Sequence, residues 1–168
     1  MKCSDICTLI ELEYSPEYAC DWDNVGLLAG RRDKEVKKVL LALDATDEVI
    51  RTAVEGEADM LITHHPMIFS PIRRVTDEDM TGRRLISLIR HDISYYAMHT
   101  NYDTRGMADL AAGLLNLQQC TVLEEVKDGE GIGRVGILPK RMTLEECALL
   151  VKETFRIPDV RLFGPRDR

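Results

Sequence analysis

The pattern that most limits what this chain can become is a repeated pairing of a short apolar run with a segment of helical spacing. Val39-Leu40-Leu41-Ala42-Leu43 is almost continuously apolar, and Asp44-Ala45-Thr46-Asp47 opens a helix over 48–57. A second run, residues 59–63, leads through a loop holding Pro66, Ser70 and Pro71 to a helix ending near Arg90. A third, residues 93–98, precedes a helix over 106–117 with Leu110, Leu114 and Leu117 on one face. Strands covered on both faces read as apolar runs, and strand–helix alternation joins parallel neighbours. The expected fold is α/β, a mainly parallel sheet flanked by helices.

Flanking segments fill in the plan. Ser4 or Asp5 caps a helix running to about Tyr14, which Ser15-Pro16 stops. Asp21-Trp22-Asp23-Asn24 is turn chemistry ahead of an apolar stretch over 25–30. Thr76-Asp77-Glu78-Asp79 resembles a capping box for the helix carrying Leu85, Ile86, Leu88 and Ile89. Asp44, which also ends a strand, reads chiefly as a cap of the helix after it, with contact to a site at the strand ends as the lesser alternative. The texture changes at Lys127-Asp128-Gly129-Glu130-Gly131. Beyond it the pattern predicts a strand over 132–138, a helix capped by Thr143 and Glu146, and a strand over 160–163. Two domains follow: residues 1–127, and the beginning of a second β-α-β lobe over 128–168.

A net charge of −7 over 168 residues, with no Lys/Arg block, argues against binding a nucleic-acid backbone. The basic pairs Arg31-Arg32, Arg73-Arg74 and Arg83-Arg84 read as solvated faces, although either of the last two could meet an anionic substrate. The five cysteines include no CxxC, which fits reduced, packing thiols in the cytoplasm better than a disulfide framework. No apolar run reaches membrane-spanning length.

Two of the expected strands end in histidine. Met60-Leu61-Ile62-Thr63 runs into His64-His65-Pro66, and the third strand runs into His99-Thr100-Asn101-Tyr102-Asp103. Ligands of open α/β sheets bind at strand carboxyl ends. Imidazole with carboxylate suits zinc, iron, nickel, cobalt or manganese. Adjacent side chains of an extended backbone point oppositely, so His64 and His65 share one ion only if the chain turns between them. Otherwise each serves one ion of a pair about 3.5–4 Å apart. His91, at a helix end, reads as a helix-terminus residue.

Trp22-Asp23-Asn24-Val25-Gly26-Leu27, Ile62-Thr63-His64-His65-Pro66-Met67-Ile68-Phe69 and His99-Thr100-Asn101-Tyr102-Asp103 together resemble the N-terminal signatures of the GTP cyclohydrolase 1 type 2 homologue family, the NIF-three-like proteins. The resemblance implies a dinuclear site of divalent metal ions. His64 would ligate one ion, His65 and Asp103 the other, and His99 would stand beside them as the proton-transfer group. Trp22, Asp23 and Asn24 would shape a substrate pocket; a structural turn on a buried tryptophan is the equal alternative. A metal-dependent hydrolase of a nucleotide or phosphoester-like small molecule, working as a hexamer, is implied; the alternative is a non-catalytic metal-binding or interaction module. With no GxxxxGK[ST] present, phosphates would fall to metal or to Arg73, Arg74 or Arg105. The family completes its site with a later His-x-x-x-Glu, and no histidine follows His99 here. The expectation is a fragment, a short member or half of a split protein, holding at most one ion well.

Overall fold

The computed structural model describes residues 1–165 and 167. Four short strands form the main sheet: β1 (Gly26–Ala29), β2 (Val39–Ala42), β3 (Met60–Thr63) and β4 (Ser94–Ala97). Their order is β1-β4-β3-β2; β2, β3 and β4 run parallel, and β1 lies antiparallel to β4. Helices α1 (Cys3–Glu13), α2 (Asp47–Glu55) and α3 (Met80–Arg90) cover it.

Every residue of β3 and β4 is buried, and the strand period of two sorts them between two cores. Leu61, Tyr95 and Ala97 pack with Ile50 and Ala53 of α2 and Leu88 of α3. Met60, Ile62 and Tyr96 face the other way, onto Cys3 and Cys7 of α1 and Val36. Each large side chain so buried contributes about 1.5–3 kcal/mol. At the far end of the sheet from the histidines, the buried Lys34 ammonium donates to the carbonyls of Asp59 and Asp92.

Several expectations need correction. The run at β2 is not covered on both faces: β2 is an edge strand, and Leu41 is 71% exposed. Asp44 does not cap α2; Thr46 does, its hydroxyl accepting from the Val49 N–H. Nor does Thr76 cap α3. Asp79 takes that position by accepting from the Gly82 N–H, while the buried Thr76 hydroxyl has no partner among the described residues. The helix expected over 106–117 is broken differently: α4 (Thr100–Tyr102), a π-helical turn (Asp103–Met107) and α5 (Ala108–Leu114).

A strand absent from the sequence reading, β5 (Gln118–Lys127), pairs antiparallel with β6 (Glu130–Ile137). Asp128 and Gly129 both take positive φ, 53° and 79°, which is the primed turn an Asp-Gly pair favours. The hairpin is tied down by Arg134, whose guanidinium meets both Asp109 oxygens at 2.6 and 2.8 Å and the Thr104 carbonyl at 3.4 Å. Helix α6 (Leu144–Phe155) follows, with the expected capping box of Thr143 and Glu146 closed in both directions. Residues 160–163, expected as a strand, form none. All five cysteines are free, and no helix among the described residues is long and apolar enough to cross a membrane.

Candidate metal centre

The parallel ladder delivers the histidines. The His64 N–H donates to the Ala42 carbonyl and the His65 N–H to that of Leu43, so β3's pairing with β2 persists past its last residue. A relay of hydroxyls then bends the chain. The Met67 N–H donates to Tyr95 Oη at 2.7 Å, Tyr95 Oη lies 2.8 Å from Thr63 Oγ1, and Thr63 Oγ1 donates to the His65 carbonyl at 2.9 Å. This bend overrides the strand alternation. The two rings stand with centroids 5.0 Å apart instead of on opposite faces.

His99, at the end of β4, joins them: its centroid is 5.1 Å from that of His64 and 5.6 Å from that of His65. One nitrogen from each ring lies within 4.8 Å of the other two. Each Nδ1 meets an atom that can only accept. His64 Nδ1 is 2.9 Å from the Met98 carbonyl, His65 Nδ1 is 2.7 Å from Asp44 Oδ1, and His99 Nδ1 is 3.0 Å from Asp23 Oδ1. All three therefore donate from Nδ1, and Nε2 of each neutral ring keeps its lone pair. Such outer partners fix tautomer and orientation in metal-ligating histidines.

Asp103, on the π-helical turn, brings Oδ1 to 3.5 Å from His64 Nε2. Single π turns inside helices recur at functional sites. A bare imidazole nitrogen and a carboxylate oxygen are both electron-pair donors, so this approach calls for a proton or a cation between them. The spacing suits an ion: a tetrahedron with legs of about 2.1 Å has edges of about 3.4 Å. The 4.8 Å span of the imidazole nitrogens is wider than that edge, so the rings would draw in around an ion. Among the described residues Asp103 comes within 4.0 Å of His64 and not of His65.

The Trp22-Asp23-Asn24 loop closes one side. The Asp23 side chain is wholly buried, whereas Trp22 is 59% exposed and so is not the buried anchor of a structural turn. Trp22 leans on Phe69 (5.8 Å between centroids) and His99 (6.1 Å). Asn24 Nδ2 donates to the Ile68 carbonyl, lacing this loop to the one after the histidine pair. Burial pushes the Asp23 carboxyl up. Hydrogen bonds from the Thr100 hydroxyl, His99 and the Thr100 and Asn24 N–H groups outweigh it, leaving the pKa below the ordinary carboxylate range. Beside His64 a cleft of about 320 Å³ is walled by Tyr14, Ile62, Met98, Tyr102 and Met107.

Other candidates lie elsewhere. His91 donates to the Ser87 carbonyl at the end of α3. Arg105 sits over the Tyr18 ring at 4.7 Å and 3.8 Å from Glu130. Arg73 and Arg74 are exposed on the loop before α3. Contact with the site was the lesser of the two uses the sequence offered Asp44, which also ends a strand, and it is the one the structure shows, on His65.

The profile of the family described as Duf34/NIF3 (NGG1p interacting factor 3) matches residues 1–168. The chain belongs to the Duf34/NIF3 family. Proteins of Clostridium perfringens and Clostridium acetobutylicum, each named GTP cyclohydrolase 1 type 2 homolog, are 38% and 37% identical over 98% and 100% of this chain. The chain spans 64% and 65% of their lengths. A crystal structure of a Bacillus cereus protein related to NIF3 shares the fold, with a TM-score of 0.90 at 23% identity over 99% of this chain and 73% of that one.

Proposed function

We propose that this Duf34/NIF3 chain holds a divalent metal ion at the His64–Asp103 junction and takes part in metal-dependent hydrolysis of a nucleotide or phosphoester-like small molecule. The observation that carries the reading is His64 Nε2 facing the Asp103 carboxylate at 3.5 Å, with two further imidazoles beside it. His65 and His99 would complete the donor set, and zinc, iron, nickel, cobalt or manganese suits it.

Such an ion supplies Lewis-acid polarisation and water ionised near neutrality. Met98, Asp44 and Asp23 hold the three imidazoles in one tautomer. His99, when not ligating, can move a proton while Asp23 keeps its Nδ1–H in place. Trp22 and Phe69 shield one flank, and the cleft beside His64 can take the apolar part of a substrate. The clostridial relatives' name suggests a GTP-like substrate. The free cysteines fit a cytoplasmic setting, and self-assembly into a hexamer is the proposed state.

Elemental analysis of chain purified without added metal, with turnover of GTP and a simple phosphoester by wild type and His65→Ala, tests the reading. Bound metal and activity lost in the variant are expected; equal activity in both discards hydrolysis at this site. A non-catalytic interaction module is the second reading, favoured by the family's description as an interacting factor. Metal bound without turnover would select it.

A further inference from the structure

The three imidazoles are not held alike. Met98 offers His64 a backbone carbonyl, and Asp44 offers His65 a carboxylate that is itself 50% exposed. Asp23 offers His99 a carboxylate with no exposed surface and every approach occupied. We propose that Asp23 is the positioning residue that presets His99, fixing its tautomer and ring plane before any ion arrives. His65, on its solvated partner, is the ring left free to adjust. The ion itself belongs to the metal reading above; the presetting of His99 does not depend on it.

The argument is one of donors. Asp23 Oδ1 accepts from the Asn24 N–H at 2.8 Å and from His99 Nδ1 at 3.0 Å. Oδ2 accepts from the Thr100 N–H at 3.0 Å and the Thr100 hydroxyl at 2.5 Å. Each oxygen thus faces one backbone N–H that cannot reverse its polarity. Only a carboxylate, accepting at both ends, satisfies both. An asparagine would set its NH2 against one of those N–H groups. At the Oδ2 position the NH2 would oppose the Thr100 N–H and the Thr100 hydroxyl, which already accepts from the Cys20 N–H. At the Oδ1 position it opposes only the Asn24 N–H, and His99 Nδ1 accepts by moving its proton to Nε2, blocking the nitrogen left for an ion. The same carboxylate anchors Thr100, whose hydroxyl also accepts from the Cys20 N–H. The loop before β1 and the end of β4 are therefore locked through one group. Nothing comparable surrounds Asp44, whose contact with His65 is open to water and salt.

The test reads the tautomer of each histidine by nitrogen NMR in the metal-free 168-residue chain, and zinc affinity by competition titration. In the wild type His99 should be protonated at Nδ1 only. Asp23→Asn should shift it toward Nε2–H and weaken zinc binding roughly 10–100-fold, as loss of an outer-shell partner does. Asp44→Asn should weaken zinc by roughly fivefold or less, and less still at high salt. A structural role for Asp23 alone would lower stability and leave the tautomer unmoved. An unchanged tautomer in Asp23→Asn, an Nε2–H tautomer in the wild type, or equal losses in the two variants would each overturn the proposal. If Asp23→Asn does not fold, the wild-type tautomer still decides. If the wild type binds no zinc, the metal reading fails, and the tautomer alone settles the part played by Asp23.

Discussion

Removing one buried oxygen, with Tyr95→Phe, tests whether the hydroxyl relay makes the histidine bend. Tyr95 is fully buried, and burial raises its pKa, so Oη stays protonated and can both donate and accept. In the variant the partly buried Met67 N–H loses its acceptor, at about 1–3 kcal/mol for a donor left unpaired away from water. The bond to Thr63 disappears as well, though Thr63 keeps its own bond to the His65 carbonyl, so this part lies nearer 0.5 kcal/mol. Together about 1.5–3.5 kcal/mol is expected, a sizeable share of the 5–15 kcal/mol of a whole domain. With a urea slope of about 2 kcal/mol/M, the midpoint should fall by roughly 0.8–1.8 M. Tyr96→Phe is the matched control. Tyr96 is equally buried, but its hydroxyl has no hydrogen-bond partner among the described residues, the Glu11 carboxylate nearby not closing a bond. Its loss should change stability by about 0.5 kcal/mol or less. Equal midpoint shifts in the two variants would show that the relay does not hold the bend.

Further expectations follow from other parts of the molecule. If the proposed site holds one ion, titration of the metal-free chain with zinc should saturate at one equivalent, since the three imidazoles cluster together and Asp103 adjoins His64 alone; two tight equivalents would refute this. The Asp59 carboxylate accepts from the Lys37 and Lys38 N–H groups, and these bonds hold its pKa below the usual range. Its stabilisation is present above about pH 4 and lost as pH falls through the folded pKa, so the urea-midpoint advantage of wild type over Asp59→Asn should shrink in acid; a constant difference would reject the linkage. At Gly82 an added Cβ would run into the Thr76 carbonyl, which folds over the first turn of α3. Gly82→Ala should cost about 1–3 kcal/mol despite alanine's higher helix propensity, and a thermal melt at or above wild type would contradict that.

What could be read in advance divides by the distance over which each feature is determined. β3 and β4 were legible because burial on both faces leaves a local mark, an apolar run closed by a helix start. β5 left no such mark. Gln118-Gln119-Cys120-Thr121 and Glu124-Glu125 are largely exposed, and the strand exists because β6 returns along it and Arg134 staples the pair to Asp109. The edge position of β2 was hidden for the same reason, since composition does not say which buried-looking strand ends a sheet. At the site, strand termini brought the three histidines into view, but whether they converge depends on a bend made by Tyr95, about thirty residues away. Asp44 shows the competition most plainly. It and Thr46 both had the chemistry to cap α2, and only one could. Thr46 took the cap, which released the Asp44 carboxylate to reach His65. The contact with His65 was the lesser reading of a strand-end aspartate because an equally good local use stood beside it, and the residue that took that use decides between them.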